Sequence, residues 1–337
     1  MSPSKIDVSV LVPVLNEERH VKDAVAAMQA QRFDGSMELL FIDGQSRDRT
    51  RQILEELARE DPRIRVLDNP AQRTPQALNI GLRAARGRYV ARMDAHANYP
   101  PDYLAAGVSR LQVGDVDHVS GPQIAQGDNR WSRRIALALS TQLGTGGSGF
   151  RLATDEEVEV DSGFTGIWQR STLERHGGWD EGWPQNQDAE LAARIRSAGG
   201  KLVCIPEMAA AYVPRDSLKA LARQYWRYGI HRAKTCRRHA NALRYSHLLP
   251  PALALTALVA TLPGPFRRLA RLGIAGYIVA IFAVAARTTK TAGAADAAAL
   301  PIVFAVMHLS WGCGFLWGMI RFGPPLGGLA RLMRPTR

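Results

Sequence analysis

The chain has 337 residues, 46% of them hydrophobic and 22% charged, which is ample for one large core with material to spare. Lysine and arginine outnumber aspartate and glutamate 43 to 31, yet no nucleic-acid-binding motif accompanies the excess, so nucleic acid is not an expected partner. Cys204, Cys236 and Cys313 lie far apart with no Cys-x-x-Cys pairing, which excludes a disulfide frame or zinc site and points to a reducing compartment.

A mean hydropathy of -0.15 averages two unlike parts. Up to about Pro214 charged and apolar residues mix in globular fashion, while Leu248 to Ile320 is nearly free of acids and rich in Ala, Leu, Val, Ile and Phe. The basic excess sits late in the chain and suits a membrane surface or an anionic lipid. Met1 to Asp7 contains no apolar signal core, so a cytoplasmic first domain is expected.

Val8 to Val14 is a β-branched run of the kind a doubly covered parallel strand shows. Leu15-Asn16-Glu17-Glu18 ends it, and a periodic helix is predicted from about His20 to Gln31. A second apolar strand, Leu39 to Ile42, stops at Asp43. The turn Asp43-Gly44-Gln45-Ser46-Arg47-Asp48-Arg49-Thr50 then opens a helix to about Arg59, with Asp48 read as its cap. Asp43, at a strand end, is suited to accept the ring N–H of a pyrimidine. After a short strand at Ile64 to Leu67, Arg73-Thr-Pro-Gln-Ala-Leu-Asn79-Ile-Gly81 starts a helix whose first amides, with Arg73, suit a phosphate. Gly87 leads into Arg88-Tyr-Val-Ala-Arg-Met-Asp94-Ala-His96, a buried strand that delivers Asp94 and His96 to its carboxyl end, where open α/β sheets bind ligands. A carboxylate and an imidazole at this spacing can share a divalent cation that neutralises a nucleotide's diphosphate.

As an ordered set, Pro13-Val14-Leu15-Asn16-Glu17-Glu18, Asp43-Gly44-x-Ser46-x-Asp48-x-Thr50, the Arg73 to Gly81 segment and Asp94-Ala95-His96 resemble inverting family-2 glycosyltransferases of the GT-A fold. Within that family the resemblance is to membrane-bound exopolysaccharide enzymes of the succinoglycan glucosyltransferase type, and it covers about residues 8 to 230. It implies an α/β fold, a Rossmann-like and mostly parallel GT-A sheet, followed by a C-terminal helical membrane domain. It also implies a nucleotide-sugar donor and Mg2+ or Mn2+. Pro13, Glu17 and Asp43 would hold the nucleoside, with Asn16 of the same motif also substrate-binding. Arg73 and Asn79 would serve the diphosphate and Asp94 the metal. His96 stands where a second aspartate is commoner, and is counted with Asp94 as a metal ligand.

Tyr103 to Val113 is read as a helix and Val116 to Gly121 as a strand. Gly144-Thr-Gly-Gly-Ser-Gly149 matches a dinucleotide fingerprint, but a helical stretch, Trp131 to Leu143, precedes it and Phe150 follows, so a flexible loop beside the substrate is expected. Val158 to Trp168 combines strand character with small residues that permit close approach of a ligand. Asp188 precedes the helix Ala189 to Ser197 and by itself reads as a cap or first-turn acid. By resemblance it falls in the Glu-Asp motif, here Gln187-Asp188, as the general base. Lys201 to Ile205 is a closing strand.

Asp216 to Ser246 is helical and basic, with Leu218, Leu221, Tyr225, Trp226, Tyr228 and Ile230 on an apolar side, as in a helix lying in a lipid interface. Gln224-Tyr225-Trp226-Arg227-Tyr228 resembles the family's Gln-x-x-Arg-Trp signature, which makes Gln224 and Arg227 candidates for the donor diphosphate or the acceptor's phosphate. The tyrosine and the few hydrophobic segments speak against a processive synthase. Three apolar stretches follow: Leu248 to Leu262, Leu272 to Ala286 and Ala297 to Ile320. Two crossings plus one re-entrant or interfacial segment keep Arg267, Arg268, Arg271 and the terminal arginines up to Arg337 inside, with Arg287 and Lys290 outside; three crossings are the alternative. The domains are thus 1–214 catalytic, 215–247 interfacial and 248–337 transmembrane, in an inner membrane with the catalytic domain cytoplasmic. The function implied is hexose transfer from UDP-glucose to a hydroxyl of a polyprenyl-diphosphate-linked saccharide among membrane lipids. A polyprenyl-phosphate sugar synthase and a non-catalytic nucleotide-sensing anchor are the alternatives.

Overall fold

The computed structural model describes residues 6–147, 155–289 and 292–334. Ser148, Gly149 and Phe150 of the glycine-rich loop, together with Lys290 and Arg337, lie outside the described residues. The elements begin β1 (Val8–Val14), α1 (Val21–Gln29), β2 (Met37–Asp43), α2 (Thr50–Glu60), β3 (Ile64–Asp68), α3 (Thr74–Ala84), β4 (Tyr89–Arg92), β5 (Ala97–Asn98) and α4 (Tyr103–Gln112). They continue with β6 (His118–Ser120), β7 (Gln123–Ala125), α5 (Arg130–Leu139), α6 (Gln142–Thr145), β8 (Val158–Glu159), β9 (Gly166–Gln169), α7 (Arg170–Arg175), α8 (Gln187–Ser197), β10 (Leu202–Cys204) and β11 (Ala210–Tyr212). The helices α9 (Leu218–Arg238), α10 (Leu249–Thr261), α11 (Arg267–Thr288), α12 (Ala294–Ala297), α13 (Leu300–Phe322) and α14 (Leu326–Met333) complete the chain.

Two compact units result, one of Met1–Ile124 with Ala153–Tyr212, the other of Ala125–Leu152 with Val213–Arg337. The first is built on an eight-stranded sheet in the order β3-β2-β1-β4-β9-β6-β10-β8. β3, β2, β1 and β4 run parallel, and β9 enters antiparallel between β4 and β6. The β-branched run of β1 makes it a central strand, with Val8, Val10, Leu11 and Val12 wholly buried between helices on both faces. Gly87 is required for close approach: a Cβ there would stand 2.5 Å from the Ser9 backbone nitrogen. The Val158 to Trp168 stretch forms two short strands, β8 and β9, with its small residues between them.

The second unit is helical. α11 runs 22 residues, longer than its apolar core suggests, because Arg267 and Arg268 begin the helix rather than end a loop. α11 and the segment Ala294–Phe322 are long and apolar enough to cross a membrane by length and composition, whereas Tyr245–Thr261 is shorter. α9 packs on α13 through the side that carries Gly229 and Ala233, and Trp226 stays exposed. A Cβ on Gly229 would meet the Trp311 carbonyl oxygen at 2.1 Å, and one on Gly314 the Trp226 carbonyl oxygen at 2.2 Å, so glycines on both helices set the spacing.

Candidate active site

β1, β2 and β4 end side by side. Strands pair about 4.8 Å apart, so the carboxyl ends of β2 and β4 lie roughly 10 Å from each other across β1. The loops that follow are knitted by side chains. Asn16 turns the chain with φ at 56°, donates its amide to Ser46 Oγ at 2.9 Å and accepts the Arg47 amide on Oδ1 at 2.8 Å. Glu17 donates its amide to Thr50 Oγ1 at 2.7 Å. The buried carboxylate of Asp43 accepts the Ser46 hydroxyl at 2.6 Å and the Ser46 amide at 3.2 Å. Asp48, expected as the cap, accepts the amide and hydroxyl of Thr50 in a local turn one residue before the N-cap position, which Arg49 holds with no side-chain cap hydrogen bond. Pro13, Asn16, Glu17 and Asp43 therefore share one rim.

At the end of β4 the guanidinium of Arg92 joins two carboxylates. Its Nη1 donates to both oxygens of Asp188 at 2.7 and 2.8 Å, while Nε and Nη2 donate to Asp94 at 3.0 and 3.2 Å. Side-chain exposures are only 4% for Arg92, 9% for Asp94 and 12% for Asp188. The Phe164 ring lies 4.9 Å from the guanidinium carbon, and Trp179 Nε1 donates to Asp188 Oδ1 at 3.3 Å. Asp188 lies in the first turn of α8, where helix amides favour a negative charge. Burial pushes its carboxyl above the usual aspartate range, with Arg92 pulling the other way. Burial works against the charge on Arg92 too, but the two carboxylates outweigh it and hold the guanidinium protonated.

Three residues of this cluster were not marked by sequence. Arg92 had a signal, since a charge inside a buried strand must be paired. Tyr99, whose hydroxyl accepts the Asp94 amide at 2.6 Å, and Trp179 had none, because aromatic residues are ordinary in a core. Arg73, exposed, stands at the N-cap position of α3 with no side-chain cap hydrogen bond. Asn79 is engaged elsewhere. Its side-chain amide spans the Trp179 carbonyl at 2.8 Å, the Trp179 amide at 2.9 Å and Glu181 Oε1 at 3.0 Å. It is thereby committed to the loop that carries Trp179. We expect Asn79→Ala to leave the buried Trp179 groups unpaired, lowering stability by roughly 1–3 kcal/mol in thermal unfolding and kcat more than donor KM. Gln224 donates to the Tyr228 hydroxyl at 2.9 Å within α9 of the second unit, and Arg227 lies one turn along that helix.

His96 Nδ1 faces Glu17 Oε1 at 3.3 Å. Among the described residues no three His, Cys, Asp or Glu side chains converge as a metal cage. Both oxygens of Asp94 accept from Arg92 and His96 faces Glu17, so Mg2+ or Mn2+ at this strand end would have few protein ligands and would depend on water and substrate phosphates, as these ions commonly do.

A mostly parallel sheet with carboxylates at the ends of the two strands that flank β1, one of them bridged through arginine to a helix-borne aspartate, fits a GT-A-type glycosyltransferase domain. The chain belongs to glycosyl transferase family 2, whose model matches residues 9–177. It is 30% identical to the succinoglycan biosynthesis protein ExoA of Rhizobium meliloti over 93% of this chain and 95% of that one. It is 24% identical, over 93% and 97%, to a Methanococcus voltae dolichyl N-acetyl-alpha-D-glucosaminyl phosphate 3-beta-D-2,3-diacetamido-2,3-dideoxy-beta-D-glucuronosyltransferase. Among solved structures, the mannosyltransferase PcManGT of Pyrobaculum calidifontis, in complex with GDP-Man and Mn2+, shares the fold with a TM-score of 0.60 at 20% identity, over 94% of this chain and 91% of that one. S. aureus TarS 1-349 in complex with UDP matches with a TM-score of 0.52 at 14% identity, over 94% and 92%.

Proposed function

We propose that this glycosyltransferase moves a hexose, glucose first among candidates, from a UDP-linked donor to a hydroxyl of a polyprenyl-diphosphate-linked saccharide. The setting is exopolysaccharide or cell-envelope glycan assembly at the cytoplasmic face of an inner membrane. The name of the Rhizobium meliloti relative supports the pathway class, and relatives named for dolichyl and undecaprenyl phosphates support a lipid-linked acceptor. The observation that carries the reading is the Arg92 bridge, which fixes a donor-side carboxylate and a helix-borne carboxylate in one buried cluster.

In this mechanism Asp188 accepts the acceptor's hydroxyl proton as that oxygen bonds to the anomeric carbon and the bond from that carbon to the diphosphate oxygen breaks, inverting the centre. Pro13, Asn16, Glu17 and Asp43 hold the nucleoside, and Arg73 and the α3 amides meet the diphosphate. Asn79 serves the donor indirectly, through the Trp179 loop. Arg227 keeps the role the resemblance gives it, charge assistance to a diphosphate or phosphate, and Gln224 stays with it as a substrate-binding residue. Held by Asp94, with His96 beside it, Mg2+ or Mn2+ would supply positive charge to the departing diphosphate.

The test is a donor screen on the full-length chain with native lipid extract, reading UDP and GDP release. UDP release that needs lipid, stops on chelation and returns with Mn2+ is expected. Release of GDP alone would overturn the donor, and UDP binding without any release would favour the nucleotide-sensing anchor.

A further inference from the structure

We propose that Trp179 is a positioning residue for the base, its indole N–H fixing the Asp188 carboxylate for the incoming hydroxyl, with Trp168 and His118 as the stack that holds the indole in place. The inference rests on the hydroxyl-transfer reading above and adds to it a group that acts through Asp188.

Trp179 is 1% exposed, and burial of its ring needs no reason beyond the core. Its polar end does. A buried indole N–H must find an acceptor, and this one donates to Asp188 Oδ1 at 3.3 Å. Arg92 spans both Asp188 oxygens and Gln187 Nε2 reaches Oδ2 at 3.4 Å, so Trp179 adds a further direction from which the carboxylate is held.

The loop that carries Trp179 is tied to the helix that carries the base. Arg194 Nη2 of α8 donates to the Gly178 carbonyl at 2.8 Å and Nη1 donates to that of His176, while the wholly buried Glu190 carboxylate accepts from the same guanidinium at 2.7 to 3.0 Å. Asp188 and Arg194 thus close one short circuit through α8, the loop and the indole. On the far side Asn79 of α3 pins the Trp179 backbone at both its N–H and its carbonyl. Gly178 is needed for that approach: its φ is 67°, and a Cβ would stand 2.5 Å from Asn79 Oδ1. A donor locked in this way can hold a base in one geometry.

The ring is held as firmly as the backbone. Trp168 meets it edge-on with centroids 5.7 Å apart, and His118 stacks on Trp168 at 4.2 Å with the planes 12° apart. Burial pushes the His118 imidazole down to about 3, so at neutral pH it serves as an uncharged plate. Gly166 closes over it, since a Cβ there would lie 2.2 Å from His118 Nε2. Arg92, with Asp94 beyond it, faces the Asp188 carboxylate from the end of β4, and on α8 itself Glu190 is paired with Arg194. Against these charges an N–H donor favours the ionised carboxylate, and its loss must move the acid limb of kcat to higher pH.

The experiment replaces Trp179 in the full-length chain with benzothienylalanine, which keeps the bicyclic shape and puts sulfur where the N–H stood, and separately makes Trp179→Phe. UDP release with native lipid extract is followed over donor concentration and pH, with Tm measured on the same preparations. Both variants should lower kcat roughly tenfold with donor KM within about twofold, the loss expected for one hydrogen bond to a charged group, and both should move the acid limb upward. In an Asp188→Asn background the benzothienyl replacement should cost less than about twofold, because no base remains to be positioned. A benzothienyl variant with wild-type kcat and an unmoved limb would overturn the proposal while leaving Asp188 as the base. An undiminished loss in the Asp188→Asn background, or a lower kcat with an unmoved limb, would confine Trp179 to packing and overturn it as well. Full turnover in Asp188→Asn alone would overturn the reading on which it rests. Should Trp179→Phe fail to fold, the benzothienyl variant decides.

Discussion

Asp188→Asn should lower kcat by about three orders of magnitude with donor KM within about threefold, because a positioned base typically contributes 10²- to 10⁴-fold to a hydroxyl attack. Asparagine keeps the shape and one hydrogen bond to Arg92 but cannot take the proton. Single-turnover measurement of UDP release with acceptor present checks it, alongside unassisted donor hydrolysis as the reference. The wild-type pH profile carries the same information. Asp188 must be ionised to work, and burial raises its pKa, so kcat should fall as pH drops through a value above the ordinary aspartate range of about 4. The Asn variant should lose that acid limb. A loss of only a few-fold would instead favour a polyprenyl-phosphate acceptor, which is already an anion and needs no strong base.

Much of this site was legible because strand ends are legible. The β-branched run of β1 and the apolar run ending in Asp43 announce parallel strands, and parallel strands bring their carboxyl ends together whatever the loops do. Asp48 reads as the cap in sequence and instead closes a turn on Thr50, two residues away, with Arg49 at the N-cap position. What the sequence did not carry were partnerships across distance. Asn79 fits a diphosphate role by motif, but its side chain meets Trp179, 100 residues on. α9 reads in sequence with its apolar side toward lipid, and the structure lays its Gly229 and Ala233 side against α13 while Trp226 stays exposed. The cause is a set of glycines, Gly229, Gly314 and Gly318, which in sequence weaken a helix and in the fold let two helices close on each other. The described residues 125–147 likewise belong with helices more than 60 residues later in the chain, as Arg134 with Asp296 illustrates.

Arg92→Met should be the most damaging single change outside the base itself. Breaking a buried pair by removing one partner costs roughly 3–5 kcal/mol, since the partner charge stays behind unpaired, and here two carboxylates are left facing each other. At roughly 2–4 °C per kcal/mol for a domain of this size, Tm should fall by about 10 °C. Arg92→Lys keeps the charge but cannot serve Asp94 and Asp188 with one rigid fork, so an intermediate loss is expected. A purely structural role would stop there. If Arg92 also sets the ionisation of the base, the acid limb of kcat must move to higher pH in Arg92→Lys, because a carboxylate with a weakened cation beside it holds its proton more tightly. Calorimetry and a pH–rate profile on the same preparation separate the two: a lower Tm with an unmoved limb would confine Arg92 to scaffolding, and a moved limb would assign it to positioning the base.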